Sequence, residues 1–506
     1  MDWRLWALSG IGVFLVLLAV HDVTQRRHAV LRTFPIIGHL RFLLESFGPE
    51  LRQYIVSDND EERPFSRDQR RFVYASAKGE NPYFGFGTDN RVDETGYLVL
   101  RHAAFPEPTI AGNELGSLKV VGEWRDRSQA FVPRSVVNIA PMSFGALSGA
   151  AITALNRGSL SAGCLHNTGE GGLSRYHHEG GDLIFQIGTG YFGCRDTNGD
   201  FSLDLLVQTV NSAPVKAIEI KLSQGAKPGL GGVLPAAKVT PQVAEARGVE
   251  VGVTIKSPNT HKAFGDVPGL VNFIELIARE TGLPVGIKSA VGQQSFWTEL
   301  ADHMAITGHG PDFISIDGGE GGTGAAPLVF TDHVSLPFRM GFAEVYRAFA
   351  AHDLHQRITF IGAGRLGFTA EAMAAMIMGV DLINVGREAM LAVGCIQAQR
   401  CHTGHCPTGV ATQRRWLERA LDPTDKSIRL AGYVQSLRHD LLILSQAMGA
   451  HHPSLVDPRF AEIRTAPDQL TPLLDTLGYE PSWREPGAGV PVHKSCLPDR
   501  APVSGY

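Results

Sequence analysis

The chain has no surplus of charge of either sign: 46 basic and 51 acidic residues leave a formal net charge of −5 over 506 residues. That balance provides no electrostatic footprint for nucleic acid. Cysteine is scarce too. Only six are present, and three of them, Cys395, Cys401 and Cys406, fall within the single stretch GCIQAQRCHTGHCPTGVAT. Cys164, Cys194 and Cys496 lie scattered far from it. The stretch also lacks the close C-x₂-C pair of structural zinc sites. An uncharged apolar run, LWALSGIGVFLVLLAV from Leu5 to Val20, opens the chain, yet no small-x-small cleavage site follows it, which argues against a secretory signal peptide.

That run is sixteen residues long, just short of the roughly 17–25 that a spanning helix needs. Trp3 and Trp6 extend it at one end, and Arg26 and Arg27 at the other. Tryptophan favours the membrane interface and basic residues favour the cytoplasmic side. The expectation is a membrane anchor over residues 1–28 with the catalytic body in the cytoplasm.

Hydrophobic residues make up 43% of the chain and charged ones 19%, as in an ordinary folding chain with a full-size core. Fifty-seven glycines cluster at the ends of short apolar runs, where a backbone turns or approaches a ligand closely. This pattern suggests a cofactor-binding enzyme. Residues 29–132 are charged, aromatic and broken by prolines, and predict an irregular N-terminal layer on a larger domain. Within it, ERPFSRDQRR reads as a solvated charged surface in preference to a site for a partner or lipid headgroups.

From residue 133 to about 450 the pattern becomes regular. SVVNIAPMSFG, VKAIEIKLSQG, GLPVGIKSAVG, PDFISIDGGEGG, RITFIGAGRLG and VDLINVGRE read as buried strands. Helical stretches such as 343–351 and 370–378 lie between the last of them. Repeated βα units over about 300 residues predict an α/β fold, a (β/α)₈ TIM barrel with its active site at the C-terminal strand ends. Residues 451–506 form a C-terminal extension.

GAGRLG, Gly362 to Gly367, matches the G-x-G-x-x-G dinucleotide fingerprint, with Asp381 about 17 residues further on. It sits late in the βα series, whereas a Rossmann unit opens its own domain. Glycines before a helix also cradle a single phosphate. The neighbouring DGGEGGTGAAP and NVGRE segments supply further backbone amides and Arg387. The preferred reading is therefore a flavin mononucleotide (FMN) phosphate site built from Asp317, Gly318, Gly319, Gly322, Thr323, Gly324, Gly362, Gly364, Gly386 and Arg387. Lys288 ends the strand GLPVGIKSA, where its ammonium would stabilise an anionic reduced flavin.

From about Ile139 to Thr412 the chain resembles the flavin-binding synthase domain of glutamate synthases. The shared strings are APMSFGALS, NTGEGG, KLSQGAKPGLGG, DGGEGGTGAAP and the cysteine segment, in the family's order. The resemblance implies an oxidoreductase acting on CH-NH2 donors that binds FMN, with Pro141, Met142 and Ser143 of APMSFGALS beside it. It implies that the C-x₅-C-x₄-C spacing of Cys395, Cys401 and Cys406 ligates a 3Fe-4S cluster, thiolates being the usual ligands of such clusters. Zinc with His402 or His405, or buried free thiols, are the competing readings. It implies further that Lys221, Lys227 and Arg247 hold 2-oxoglutarate, a dicarboxylate that needs charge-assisted clamps. Glu170 in NTGEGG is the carboxylate placed to manage a proton, with Lys221 as its catalytic neighbour.

Two departures from the family pattern stand out. The family has glutamine after its paired glycines and this chain has Val233, so the preferred 2-oxo acid is open: an N-alkylglutamate synthase or another 2-oxo acid aminase is the alternative. The first cysteine is Cys164, inside the barrel, and no NADPH domain is evident. The expectation is that ammonia, an amine or a separate amidotransferase subunit supplies nitrogen, and that a ferredoxin-like or flavoprotein partner supplies electrons. A membrane electron-transfer subunit without turnover is the reading from another class. Val233 favours it weakly, and the retained Lys221, Lys227 and Arg247 oppose it.

Overall fold

The computed structural model describes residues 3–25, 29–52, 56, 62–81, 83, 85, 87–109 and 112–483. Contacts divide the chain into two compact units, Met1–Arg70 and Arg71–Tyr506. Arg26, Arg27 and Cys496 lie outside the described residues.

In the first unit, helix α1 (Trp3–Thr24) is long and apolar enough to cross a membrane, and 6% of its most apolar window is buried. A short helix, Ala29–Thr33, and helix α2 (Gly38–Leu51) follow. ERPFSRDQRR differs from its expectation. Phe65 and Arg70 are buried, and the Arg70 guanidinium donates to the Glu62 carboxylate and to the Phe65 carbonyl. A guanidinium with a nearby carboxylate and carbonyl can enter the interior, and a charge count along the sequence cannot show such partners.

The second unit is built on a closed barrel of eight parallel strands. These are β1 (Val137–Ile139), β2 (His166–Asn167), β3 (Leu183–Ile187), β4 (Val215–Lys221), β5 (Val285–Ser289), β6 (Phe313–Asp317), β7 (Thr359–Ala363) and β8 (Leu382–Val385). They are ordered as in the chain, and β8 closes on β1 with Val385 opposite Ile139. The β-branched runs are buried on both faces, as parallel strands between a filled barrel and its helices require. Helix Gly149–Ala162 begins on a Ser148 cap, whose hydroxyl accepts from the Ala151 amide. Helix Pro423–Ala447 packs closely on it: a Cβ at Gly158 would lie 2.8 Å from the Leu430 side chain.

At the N-terminal end of the barrel, Val121, Leu165, Ile184, Ala217, Phe313, Ile361 and Leu382 form an apolar plug. Lys119 is buried beside it and donates to the carbonyls of His355 and Ile358 and to the Asp381 carboxylate. Above the plug lies a polar layer: the buried Glu219 carboxylate accepts from Asn167, Gln186 and Ser315 at 2.6–2.9 Å.

Residues 71–132 fall in the same contact unit as the barrel, which begins at Arg71. The N-terminal layer is also less irregular than its prolines suggest, since it contains helices Gly38–Leu51 and Arg67–Lys78. The C-terminal extension is integrated as well. Strands Ala461–Ala466 and Gln469–Pro472 join Leu98–Leu100 in a small antiparallel sheet, and Tyr479 stacks on Tyr346 at 5.0 Å.

Candidate active site

The C-terminal ends of β4 and β5 set Lys221 directly opposite Lys288 in the sheet register, and those of β6 and β7 set Asp317 opposite Ala363. The expected residues therefore gather on one rim. The NTGEGG loop after β2 brings Glu170 across to Lys221, with carboxylate and ammonium 2.7 Å apart. Gly169 makes this approach possible. Its φ is +68°, and a Cβ there would come within 2.6 Å of the Ser143 amide. The Lys221 ammonium also donates to Gln224 at 2.6 Å.

Lys227 and Arg247 complete the group. Lys227 is 4% exposed, and among the described residues its ammonium donates to the Gly231 carbonyl at 3.3 Å. Arg247 ends the helix Pro241–Arg247, is 6% exposed, and lies 5.1 Å from the centre of the Phe192 ring. One of its terminal nitrogens donates to the Phe144 carbonyl, and its Nε has no partner among the described residues. Neither cation pairs with a carboxylate at ion-pair distance there. Burial lowers both from their ordinary values, Arg247 to about 10, although Glu170 opposes the shift. Burial also pushes the Glu170 carboxyl up, but Lys221, Lys227 and Arg247 together outweigh it and hold the group at about 2. The site thus contains three cations and one carboxylate.

On the β5–β8 side, the buried Lys288 ammonium lies 2.6 Å from Asp317, whose carboxylate also accepts from the Gly225 amide at 3.0 Å. The loop carrying Gly225 presses against the DGGEGG loop so tightly that a Cβ on Gly225 would fall 1.8 Å from the Gly318 carbonyl oxygen. Arg387, at the end of β8, crosses this rim and donates to the Glu320 carbonyl. A Cβ at Gly322 would meet its side chain at 2.6 Å. Gly364 has φ +146° and sits beside Gly318. Gly362 lies inside β7, where a Cβ would come within 2.9 Å of the Leu366 and Phe338 side chains. Pro141, Met142 and Ser143 follow β1 on the same rim, and Gly386 follows β8. Asp381 precedes β8 and faces Lys119 at the opposite end of the barrel, out of reach of any group at GAGRLG. This removes the dinucleotide reading.

The cysteine segment follows the helix Arg387–Ala392. Burial raises the Cys395 thiol to about 12, and Cys401 and Cys406 raise it as well, so the three sulfurs share one neighbourhood. The Gln397 amide donates to the Cys395 sulfur at 3.4 Å, and Lys238 donates to the Cys401 carbonyl at 2.7 Å. A Cβ on Gly324, in the expected flavin loop, would lie 3.4 Å from the Cys401 side chain. Among the described residues no three His, Cys, Asp or Glu side chains converge on one ion position.

Sequence reasoning missed several contributors. Gln224 stands three residues after Lys221 in a quoted motif, so the signal was present. His261, whose Nε2 lies 2.9 Å from the Lys221 carbonyl, comes from a distant loop with no motif. Tyr74, donating to the Cys395 carbonyl at 2.8 Å, comes from the segment whose charge pattern was uninformative.

The conserved region in glutamate synthase matches residues 123–451. The glutamate synthase large subunit-like protein YerD of Bacillus subtilis is 37% identical over 88% of this chain and 92% of its own length. The chain belongs to the glutamate synthase family. It is a family of oxidoreductases, and a second member, the archaeal glutamate synthase [NADPH] of Methanocaldococcus jannaschii, is 33% identical over 68% of this chain and 64% of its own length. Among solved structures, mandelate oxidase with (S)-4-hydroxymandelic acid aligns over 68% of this chain and 86% of its own at 17% identity and TM-score 0.39. The family match spans all eight barrel strands, from Val137 to Val385, and the whole cysteine segment.

Proposed function

We propose that the chain makes L-glutamate by reductive amination of 2-oxoglutarate with externally supplied nitrogen. The oxo acid, ammonia, two electrons and two protons yield glutamate and water. The observation that carries this reading is the charge of the pocket. Lys221, Lys227 and Arg247 against Glu170 leave two positive charges on buried groups, and a dicarboxylate brings two negative ones. Buried cations without a counter-ion are costly, and a dianionic substrate removes that cost.

Lys227 and Arg247 would hold the carboxylates by charge-assisted hydrogen bonds and orient the carbonyl carbon. Phe144 and Phe192 exclude water from the guanidinium. The Lys221 ammonium, shared between Glu170 and Gln224, stands where a proton is delivered to the departing carbonyl oxygen. Glu170, ionised near neutral pH, accepts protons and does not donate them.

FMN fits the opposite side of the rim. The glycine-lined loop ends with Arg387 suit its phosphate, and buried Lys288 suits a ring that becomes anionic. When bound, FMN supplies the two-electron reduction. The cysteines suit a 3Fe-4S cluster by donor chemistry. Burial raises the Cys395 and Cys401 thiols, a preference that metal charge would invert, and a backbone amide already points at the Cys395 sulfur. Electrons would come from a ferredoxin-like or flavoprotein partner. Helix α1 would anchor the protein in the membrane, with the barrel on the cytoplasmic side.

The alternative substrate rests on Val233. It pairs with Lys256 in a two-stranded antiparallel sheet, follows Gly232, where a Cβ would lie 3.1 Å from the Glu170 carboxylate, and is 45% exposed, so it offers a methyl surface where the family offers an amide. Titrating the oxidised flavin's absorbance with a panel of 2-oxo acids tests both readings. The expected result is saturation by 2-oxoglutarate, with Val233→Gln tightening it relative to the other acids. No response to 2-oxoglutarate in flavin-loaded protein would overturn the glutamate reading. An unchanged ranking would make Val233 a neutral replacement.

A further inference from the structure

Helix α2 carries an apolar stripe left bare by the described residues. Leu40, Leu44, Phe47 and Leu51, with Ile37 just before the helix, recur at intervals of three and four and so share one face. Their exposure runs from 42% at Leu51 to 74% at Ile37. Arg41 and Glu45 lie to one side of that face and pair with each other at 2.7 Å across one turn. A single exposed leucine requires no explanation, but a continuous stripe of this size does.

The start of α2 is fastened to the end of α1. The Asp22 carboxylate is fully buried, accepts from the Ile36 amide at 2.9 Å, and lies 2.9 and 3.0 Å from the His39 Nε2. The stripe therefore begins where the apolar α1 ends, continuous with the surface assigned to the bilayer. At 14 residues α2 is about 21 Å long, against a hydrocarbon core of about 30 Å, and it carries an ion pair. It cannot span.

We propose that α2 lies in the plane of the bilayer, with Leu40, Leu44, Phe47 and Leu51 among the acyl chains and Arg41 at the phospholipid headgroups. Its partner is a phospholipid surface. The proposal rests on the anchor reading of α1 and adds a second, interfacial contact that fixes the emerging chain against the membrane.

The test uses the full chain reconstituted in phosphatidylglycerol–phosphatidylethanolamine vesicles. The photocrosslinker p-benzoylphenylalanine replaces Leu40, Leu44 or Phe47 on the stripe, Arg41 or Glu45 off it, and Phe14 within α1. Lipid adducts from the three stripe positions, fewer from Arg41 at the headgroups and none above background from Glu45 are expected. Adducts at Phe14 with none on the stripe would overturn the proposal and leave the anchor intact. Adducts on the stripe with none at Phe14 would remove the anchor and keep α2 as a peripheral membrane helix. Silence at both removes both. Stripe adducts to a second copy of the chain would overturn the lipid assignment in favour of a dimer contact.

Discussion

Lys227 and Arg247 separate substrate binding from flavin binding, because they lie on the β4–β5 connection while the expected phosphate loops follow β6, β7 and β8. A charge-assisted hydrogen bond in such a pocket contributes about 1.5–3 kcal/mol, so Lys227→Ala and Arg247→Ala should each weaken 2-oxoglutarate binding by about ten- to a hundredfold. Flavin content should not change. Flavin loss in parallel with affinity would mean that these residues support the loop and not the ligand. Glu170 gives a prediction in pH. Its carboxyl is held at about 2, below the ordinary 4.5, so its ion pairing contributes stability above pH 4.5 that is lost as pH falls toward 2. Glu170→Gln should therefore unfold at lower urea than the wild type at neutral pH, and the gap should close in the acid range. A gap independent of pH would show that packing, not the ion pair, is what the carboxylate supplies. The paired lysine and glutamate were visible as motif residues, but their 2.7 Å contact joins a loop to a strand end about 50 residues away, which no local pattern records.

At the scale of elements, six of the eight barrel strands were legible because each is a continuous β-branched run. β2 was not, since it has only two paired residues: Asn167 turns its side chain to Glu219 in the barrel interior, and the His166 ring lies beside Asn156 of the helix Gly149–Ala162 on the other face. β3, LIFQI, has the right composition, but Gln186 interrupts it to serve the Glu219 layer. These two strands were missed because a barrel interior can be polar when every donor finds an acceptor, and that satisfaction is tertiary. The cysteine segment stood out in the sequence because it holds three of the six cysteines, and its reading as a cluster site came from the family resemblance. It contains one 3-10 turn, Cys401–Thr403, and is held by contacts from elsewhere: Tyr74 to Cys395 and Lys238 to Cys401. Replacing Cys395, Cys401 or Cys406 with serine should cost the protein its iron and acid-labile sulfide while flavin stays, because the barrel strands do not depend on the segment. Stoichiometric zinc without sulfide in anaerobically purified wild-type protein would end the cluster reading.

For the molecule as a whole, the division at Arg70–Arg71 predicts which parts can be removed. Every residue assigned to flavin, substrate or cluster falls in the second unit, and the barrel's plug and polar layer are drawn entirely from it. The first unit instead exposes apolar surface along α1 and along α2. A spanning helix resists alkaline carbonate, whereas an interfacial helix is held only by partial burial and headgroup attraction and is stripped by it. Wild-type protein should therefore stay with the membrane pellet in carbonate. A chain without residues 1–28 should sediment with membranes in low salt but leave them in carbonate, and one without residues 1–52 should be soluble throughout. All three should carry the same flavin per chain. Wild-type protein found soluble with its N-terminus intact would refute the anchor. Flavin lost on removing residues 1–28 would show that the barrel depends on a unit from which no site residue is drawn.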